Sequence, residues 1–376
     1  MIRTYKIRLF PTKEQEQLFY KHIGACRFIW NWGLDTQINY YQKTGKKYSG
    51  YDLMKMLTPL KKTEEYSWLN EISNASLQTI LLDLDRAYKN FFKSGFGFPK
   101  FKSKKRAKKS FPVRCNATYF YNEIYAQIPS IGKVRYKTNY NIPIGKNIKF
   151  SNPRISFVND KWILTAGIEC ESKAIELTSS SMGIDLGVKD LAIVAIGNEK
   201  LVFKNINKTS KMRKLNKKLK HLQRKTARKY HINGGYDKTN NILKTEAQIK
   251  ELSYHISNIR QNYIHQITRQ LVDMLPYRVV MEDLNVSGMM KNRHLSKAVQ
   301  EQCFFNFIQT MKYKCEEYGI EFVQADRFYP SSKTCSSCGC INKDLKLSDR
   351  TYICSECGAV IDRDYNAAIN LMQYAC

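Results

Sequence analysis

Polar and apolar residues alternate through IRTYKIRLF at positions 2–10, which predicts a strand that breaks at Pro11. Thr12, with Gln15 three residues on, then marks a helix start, and the pattern stays helical to about Lys93. In LQTILLDLDRAYKNFF, residues Leu77, Ile80, Leu81, Leu84, Ala87, Tyr88 and Phe91 fall on one face, the stripe that an amphipathic helix buries. The following GFGFPKFKSKKRAKKSF interleaves glycine, proline, aromatics and lysines, a loop suited to contacting phosphates and bases. From about 111 to 180, Tyr, Ile, Val and Phe dominate and turn residues recur at short intervals. That texture predicts a small antiparallel barrel or sheet, to which the opening strand would belong with the helices inserted. Beyond ELTSSSM the order becomes strand, strand, a long basic helical region, strand, helix, strand, a cysteine-rich knuckle and a final helix, the alternation of an α/β domain.

Charge changes the picture more than composition does. The 376 residues allow two or three domains, and 43% hydrophobic residues supply an ordinary core. The net charge of +29, from 62 Lys and Arg against 33 Asp and Glu, exceeds what solubility needs and points to a polyanion, nucleic acid first. No apolar run is long enough to span a bilayer and MIRTYKIRLFPTKEQ carries no signal-peptide pattern, so a soluble intracellular protein with no membrane partner is expected. Residues 208–229 contain no acid, and Leu215, Leu219 and Leu222 share a helical face there. The opposite, lysine-rich face reads as a surface for nucleic-acid backbones.

Four of the 11 cysteines, Cys335, Cys338, Cys354 and Cys357, form two Cys-x-x-Cys pairs with the spacing of a structural zinc site. Each pair is followed by a glycine, Gly339 or Gly358, where a tight turn lets amides face the sulfurs. Four thiolates close the coordination sphere, so such a zinc is structural rather than catalytic. Cys26, Cys115, Cys170, Cys303, Cys315, Cys340 and Cys376 are scattered without a disulfide framework, as in a reducing compartment.

Three acidic clusters lie in the α/β part. Asp185 alternates with Gly183 and Gly187 on one face of a strand, an acid with room beside it for a bulky charged ligand. Glu282 and Asp283 end the apolar strand Val279–Met281, where α/β sheets place their sites. Asp362 and Asp364 flank Arg363 ahead of YNAAINL, a helix start whose paired alanines suit close packing on a sheet. Hard divalent cations need oxygen ligands, and three such carboxylates are what a two-metal phosphodiesterase site requires.

With these residues laid out, the chain resembles the TnpB family, insertion-sequence RNA-guided nucleases related to type V CRISPR effectors. The resemblance rests on YKIRLFPTKEQ, GACRFIWN, GFPKFKSKK, GIDLGVKDLA, VVMEDLNVSGM, YPSSKTCSSCG and CSECGAVIDRDYNAAINL, which run nearly end to end. It implies a multidomain fold: a wedge-like β-barrel domain (1–11 and 111–180), a helical recognition lobe (12–110), an α/β RNase H-like (RuvC) nuclease domain (181–330 and 361–376) and a zinc-ribbon insert (331–360). By resemblance the catalytic acids, holding about two magnesium ions, are Asp185, Glu282 and Asp364, with Asp362 the alternative third acid, and Arg350 steadies the scissile phosphate. Also implied are a guide RNA made from the element's end, a double-stranded DNA target beside a short flanking motif, one protein per RNA, and a cytoplasmic, nucleoid-associated location in a prokaryote; as a departure from the family, any long carboxyl-terminal tail seen in relatives is expected to be missing. An RNA-guided repressor would lack one of the acids, and a DDE-type transposase also uses three acids and two metals; both stand as alternatives.

Overall fold

The computed structural model describes residues 2–140, 142–145, 148, 150–169, 175–235, 238–346 and 349–374. The chain forms two compact units, Met1–Cys170 and Glu171–Cys376.

In the first unit, β1 (Ile2–Phe10) leads into α1 (Lys13–Thr44), α2 (Gly50–Leu60) and α3 (Asn74–Ser94). Strands β2 (Ser110–Pro112), β3 (Tyr119–Phe120), β4 (Tyr125–Ile128), β5 (Gly132–Lys137), β6 (Phe150–Val158) and β7 (Lys161–Glu169) follow. The period-two pattern of β1 buries Tyr5, Ile7 and Leu9, and the strand lies between β7 and β5 in an antiparallel sheet ordered β2-β6-β7-β1-β5-β4-β3. Thr12 and Gln15 close a capping box at the start of α1. The α3 stripe buries Leu77, Ile80, Leu81, Leu84 and Tyr88. Ser110, on the helical side of the sequence boundary, pairs in β2 with Ser156.

The second unit carries β8 (Thr178–Leu186), β9 (Asp190–Ile196), β10 (Glu199–Lys204), α4 (Ser210–Ile232), α5 (Asn240–Val272), β11 (Pro276–Glu282), α6 (Val286–Met289), α7 (Ser296–Gln302), α8 (Phe304–Tyr318) and β12 (Glu321–Ala325). Then come β13 (Thr351–Ile353), β14 (Val360–Asp362) and α9 (Arg363–Met372). The five-stranded sheet runs β10-β9-β8-β11-β12, antiparallel among β10, β9 and β8 and parallel among β8, β11 and β12.

Side-chain alternation gives this sheet two apolar faces. Met182, Ile184, Val279 and Met281 share one core with Ile264, Leu271, Phe307 and Met311 of α5 and α8. On the other face Ile193 and Ala195 pack with Ala368, and Val280 and Ala325 with Leu371, both from α9.

The structure corrects several sequence expectations. Residues 178–180, assigned to the earlier β domain, open β8, where Thr178 and Ser181 register with Pro276 and Arg278. The two strands of GIDLGVKDLAIVAIG are followed by a third, β10, and the basic helical region divides into α4 and α5. The ribbon reaches past residue 360, since β14 continues to Asp362 opposite Thr351. Gly183 makes room for protein rather than for ligand: a Cβ there would lie 2.0 Å from the Ala368 carbonyl oxygen and 2.3 Å from the Met372 nitrogen. The bare strand is what lets the backbone of α9 settle on β8.

Candidate active site

Asp185 and Glu282 project onto the face that α9 covers. The parallel register pairs Ile184 with Met281, so the next residues along, Asp185 and Glu282, end adjacent strands side by side. Asp364 enters from the first turn of α9, seated on β8 through Gly183. Asp185 as a whole residue is half-buried. Burial, then repulsion from Glu282 and Asp364, push that carboxyl well above the usual carboxylate range; Arg363 pulls it down and Asp362 adds to the rise. Three acids in mutual repulsion form a locus that favours cations.

Each remaining carboxylate has a distinct partner. Glu282 accepts a hydrogen bond from the buried Ser331 hydroxyl. Asp283 is held by Arg327, Nη2 to Oδ2 2.5 Å. Asp362 caps α9, accepting the Tyr365 N–H at 2.9 Å, and lies 3.7 Å from the Lys200 ammonium. Asp364 Oδ2 lies 3.9 Å from Arg350 Nη1, a loose ion pair, and that arginine side chain is 59% exposed. The Arg350 carbonyl accepts the Arg363 N–H at 2.9 Å, which ties its backbone to the start of α9 while its side chain is exposed.

The cysteines converge independently. The Sγ atoms of Cys335, Cys338, Cys354 and Cys357 lie within 4.8 Å of one another, with Cys335–Cys357 at 3.6 Å and Cys338–Cys354 at 3.5 Å. Tetrahedral zinc with bonds of about 2.3 Å places its sulfurs about 3.8 Å apart, so the four thiols fit structural zinc. Gly339 and Gly358 adopt φ of +77° and +70°, the left-handed turn that each Cys-x-x-Cys needs. The N–H groups of Cys357 and Glu356 pull the Cys354 thiol down to about 6, a preparation for metal binding built from backbone. Among the described residues this is the one group of three or more His, Cys, Asp or Glu that gathers closely enough to share a single ion. Cys26, Cys115, Cys303, Cys315 and Cys340 are free thiols, while Cys170 and Cys376 lie outside the described residues.

Comparison with known proteins shows which family the chain resembles along its length. Residues 1–46 match a family model described as "Helix-turn-helix domain", 168–293 one described as "Probable transposase" and 304–371 one described as "Cas12f1-like, TNB domain". The chain is 28% identical to the "Putative RNA-guided DNA endonuclease" of Streptomyces pristinaespiralis, over 98% of this chain and 88% of that one. It is 30% identical to the "Putative RNA-guided DNA endonuclease InsQ" of Escherichia coli (strain K12), over 99% of this chain and 92% of the relative. The chain belongs to the TnpB family. In fold, this TnpB-family chain matches Cas12f1 from a cryo-EM structure of the "Cas12f1-sgRNA-target DNA complex" with a TM-score of 0.65 at 14% identity, covering 99% of this chain and 98% of that one.

Sequence reasoning about this TnpB-family chain missed the amides that tie the acidic cluster to the cysteine cluster. Asn366 donates to the Thr334 carbonyl at 2.6 Å and accepts the Ser336 N–H at 3.0 Å. Asn370, one turn on, donates to the Ser331 and Thr334 carbonyls at 2.7 Å each. Ser331, whose hydroxyl holds Glu282, is therefore fixed by the same helix that carries Asp364. The available signal was the pair of amides at i and i+4 on an otherwise apolar helical face. The basic loop, in the first unit, is anchored by Trp30 Nε1 to the Lys100 carbonyl at 3.0 Å and by Asn31 to Lys102. It lines a cavity of about 730 Å³ with Lys102, Lys104, Lys108 and Lys109 facing Arg27 and Arg154, and burial lowers the Lys102 ammonium to about 8. No helix of the described residues is long and apolar enough to cross a membrane.

Proposed function

We propose that the protein is an RNA-guided DNA endonuclease with a RuvC-like, RNase H-type nuclease domain, and that Asp185, Glu282 and Asp364 are its catalytic acids. The observation that carries the reading is the convergence of these three carboxylates from β8, β11 and α9, with the Asp185 carboxyl raised by burial and by its two neighbours. Strand order β10-β9-β8-β11-β12, antiparallel on one side and parallel on the other, supports an RNase H-type sheet. The donor set is all hard oxygen, which fits magnesium, and three carboxylates are enough to hold a pair of such ions. Bound there, magnesium would supply an activated water and charge neutralisation at the leaving oxygen.

The chain's own residues do the rest. Asp185 holds the centre of the site, and Ser331 fixes the orientation of Glu282. Arg350, exposed and only loosely paired with Asp364, reaches a scissile phosphate. Asp362, engaged as a helix cap, keeps α9 in place and leaves Asp364 as the third acid. Cys335, Cys338, Cys354 and Cys357 would hold a structural zinc. A guide RNA and a DNA target are the polyanions that the charge of +29 awaits, with the α4 cations and the loop around Lys102 as backbone contacts.

The test is to express the gene with its downstream flank, assemble the purified complex with the RNA that accompanies it, and offer matching DNA with magnesium. Asp185→Ala is expected to abolish cutting and leave target binding within about threefold; undiminished cutting by that variant would refute the assignment. The description "Probable transposase" for residues 168–293 motivates a second assay, strand joining on element ends, and no joined product is expected.

A further inference from the structure

Phe328 is the most exposed large apolar side chain among the described residues, at 87%. A single exposed phenylalanine is ordinary in itself. What sets this one apart is that everything around it is fixed to the acids. On its amino-terminal side, Arg327 grips Asp283, the residue after Glu282. Three residues past it, the Ser331 hydroxyl donates to Glu282. Its own N–H donates to Asp326 Oδ1 at 2.8 Å, and the Asp326 N–H donates to the Tyr374 hydroxyl at 3.2 Å. The next ring, Tyr329, packs edge-on against Tyr374 at 4.8 Å and its hydroxyl reaches the Asn370 carbonyl at 3.3 Å. The loop from Asp326 to Ser331 is thus pinned at both ends and in the middle; Asp326 and Arg327 are exposed but engaged, and the phenyl ring projects into solvent.

We propose that Phe328 is a positioning residue, a stacking platform for a nucleobase of the DNA strand being cut. The proposal rests on the nuclease reading above. Sequence-tolerant recognition suits an enzyme directed by a guide, because every base offers a π-face to an aromatic ring. Arg327 pairs with Asp283, the neighbour of Glu282, and Arg350 with Asp364, so the strand whose base stacks on Phe328 has cations beside its phosphates. A ring held still by the loop, rather than by contacts of its own, keeps both faces or an edge open to that base and sets the register of the scissile phosphate against Asp185, Glu282 and Asp364.

The experiment compares guide-loaded wild-type, Phe328→Ala and Phe328→Trp complexes in single-turnover cleavage. A second readout places 2-aminopurine beside the cleavage position in an Asp185→Ala background, where DNA is bound and uncut. Loss of one stacked base predicts that Phe328→Ala cuts about ten- to a hundredfold more slowly with target affinity within about twofold, while Phe328→Trp restores the rate. The 2-aminopurine signal is expected to be quenched with Phe328 present and to rise when it is replaced by alanine. Wild-type cutting rates in Phe328→Ala, a tryptophan variant as slow as the alanine one, or fluorescence indifferent to the ring would each overturn the proposal. A wild-type complex that binds but does not cut would instead refute the nuclease reading, and the fluorescence comparison would still decide the stacking.

Discussion

Asp185 illustrates how a site is maintained against its own stability. Its carboxyl is raised above the range it has in an unfolded chain, so ionising it is harder in the folded state. The sign follows from linkage: at low pH both states are protonated and the group costs nothing, and as pH climbs through the unfolded value toward the folded one the cost grows. Metal-free protein should therefore lose stability across the mildly acidic range, and divalent cations should return it. Asp185→Asn is expected to raise the melting temperature of the metal-free protein at neutral pH, at about 2–4 °C for each kcal/mol relieved, while abolishing cleavage. Differential scanning fluorimetry across pH, with chelator and with magnesium, measures both. An asparagine variant that melts lower than wild type would mean that the three acids do not repel one another as the geometry requires. Arg350→Ala tests a different quantity, because a group that meets the phosphate during reaction affects turnover more than binding. A fall of about tenfold to a hundredfold in cleavage with unchanged target affinity is expected.

At the scale of elements, the contact of α9 with β8 positions Asp364, the third acid of the proposed site. Gly183→Ala would drive a methyl group into the backbone of α9 at Ala368 and Met372, and backbone cannot yield as a side-chain tip can. Overpacking of this kind costs about 1–3 kcal/mol and moves whatever the helix carries, so cleavage should fall by more than about a hundredfold while zinc content stays at wild-type level. Wild-type activity in that variant would show that Asp364 need not be held by this helix position. What the sequence made legible here was local. The period of β1, the Thr12–Gln15 box, the α3 stripe and the Cys-x-x-Cys spacing each depend on residues a few positions apart, where chain geometry leaves little choice. The unread part was non-local: Asn366 and Asn370 find partners more than thirty residues upstream, and Ser331 finds Glu282 forty-nine residues away. Gly183 was misread because its neighbour in space is a helix 185 residues further on, a relation that no strand pattern contains. β10 escaped because EKLVFK is a short edge strand whose exposed lysines make it resemble a turn.

For the molecule as a whole, the charge of +29 must be compensated for the chain to work, and the distribution says by what. In α4 the exposed residues Lys211, Lys214, Lys218, His221, Lys225 and Arg228 recur every three or four positions, forming one stripe up the outer face of the helix. Such a stripe reads phosphates without reading bases, so its removal should weaken binding to all sequences alike. Replacing Lys214, Lys218 and Lys225 with glutamine is expected to lower the slope of log affinity against log salt by about two, at 0.7–0.9 per phosphate lost. If RNA is the resident polyanion, it also contributes to folding stability by mass action, about 4 kcal/mol when present at a thousand times its dissociation constant. Ribonuclease digestion of the purified complex should then lower the melting temperature by on the order of 10 °C, and deoxyribonuclease should leave it unchanged. A discrete RNA on sequencing, together with that drop, fits a guide held at a defined site. Heterogeneous RNA and an unmoved melting temperature would mean that the charge collects backbones indiscriminately, leaving the acids as an unguided nuclease centre.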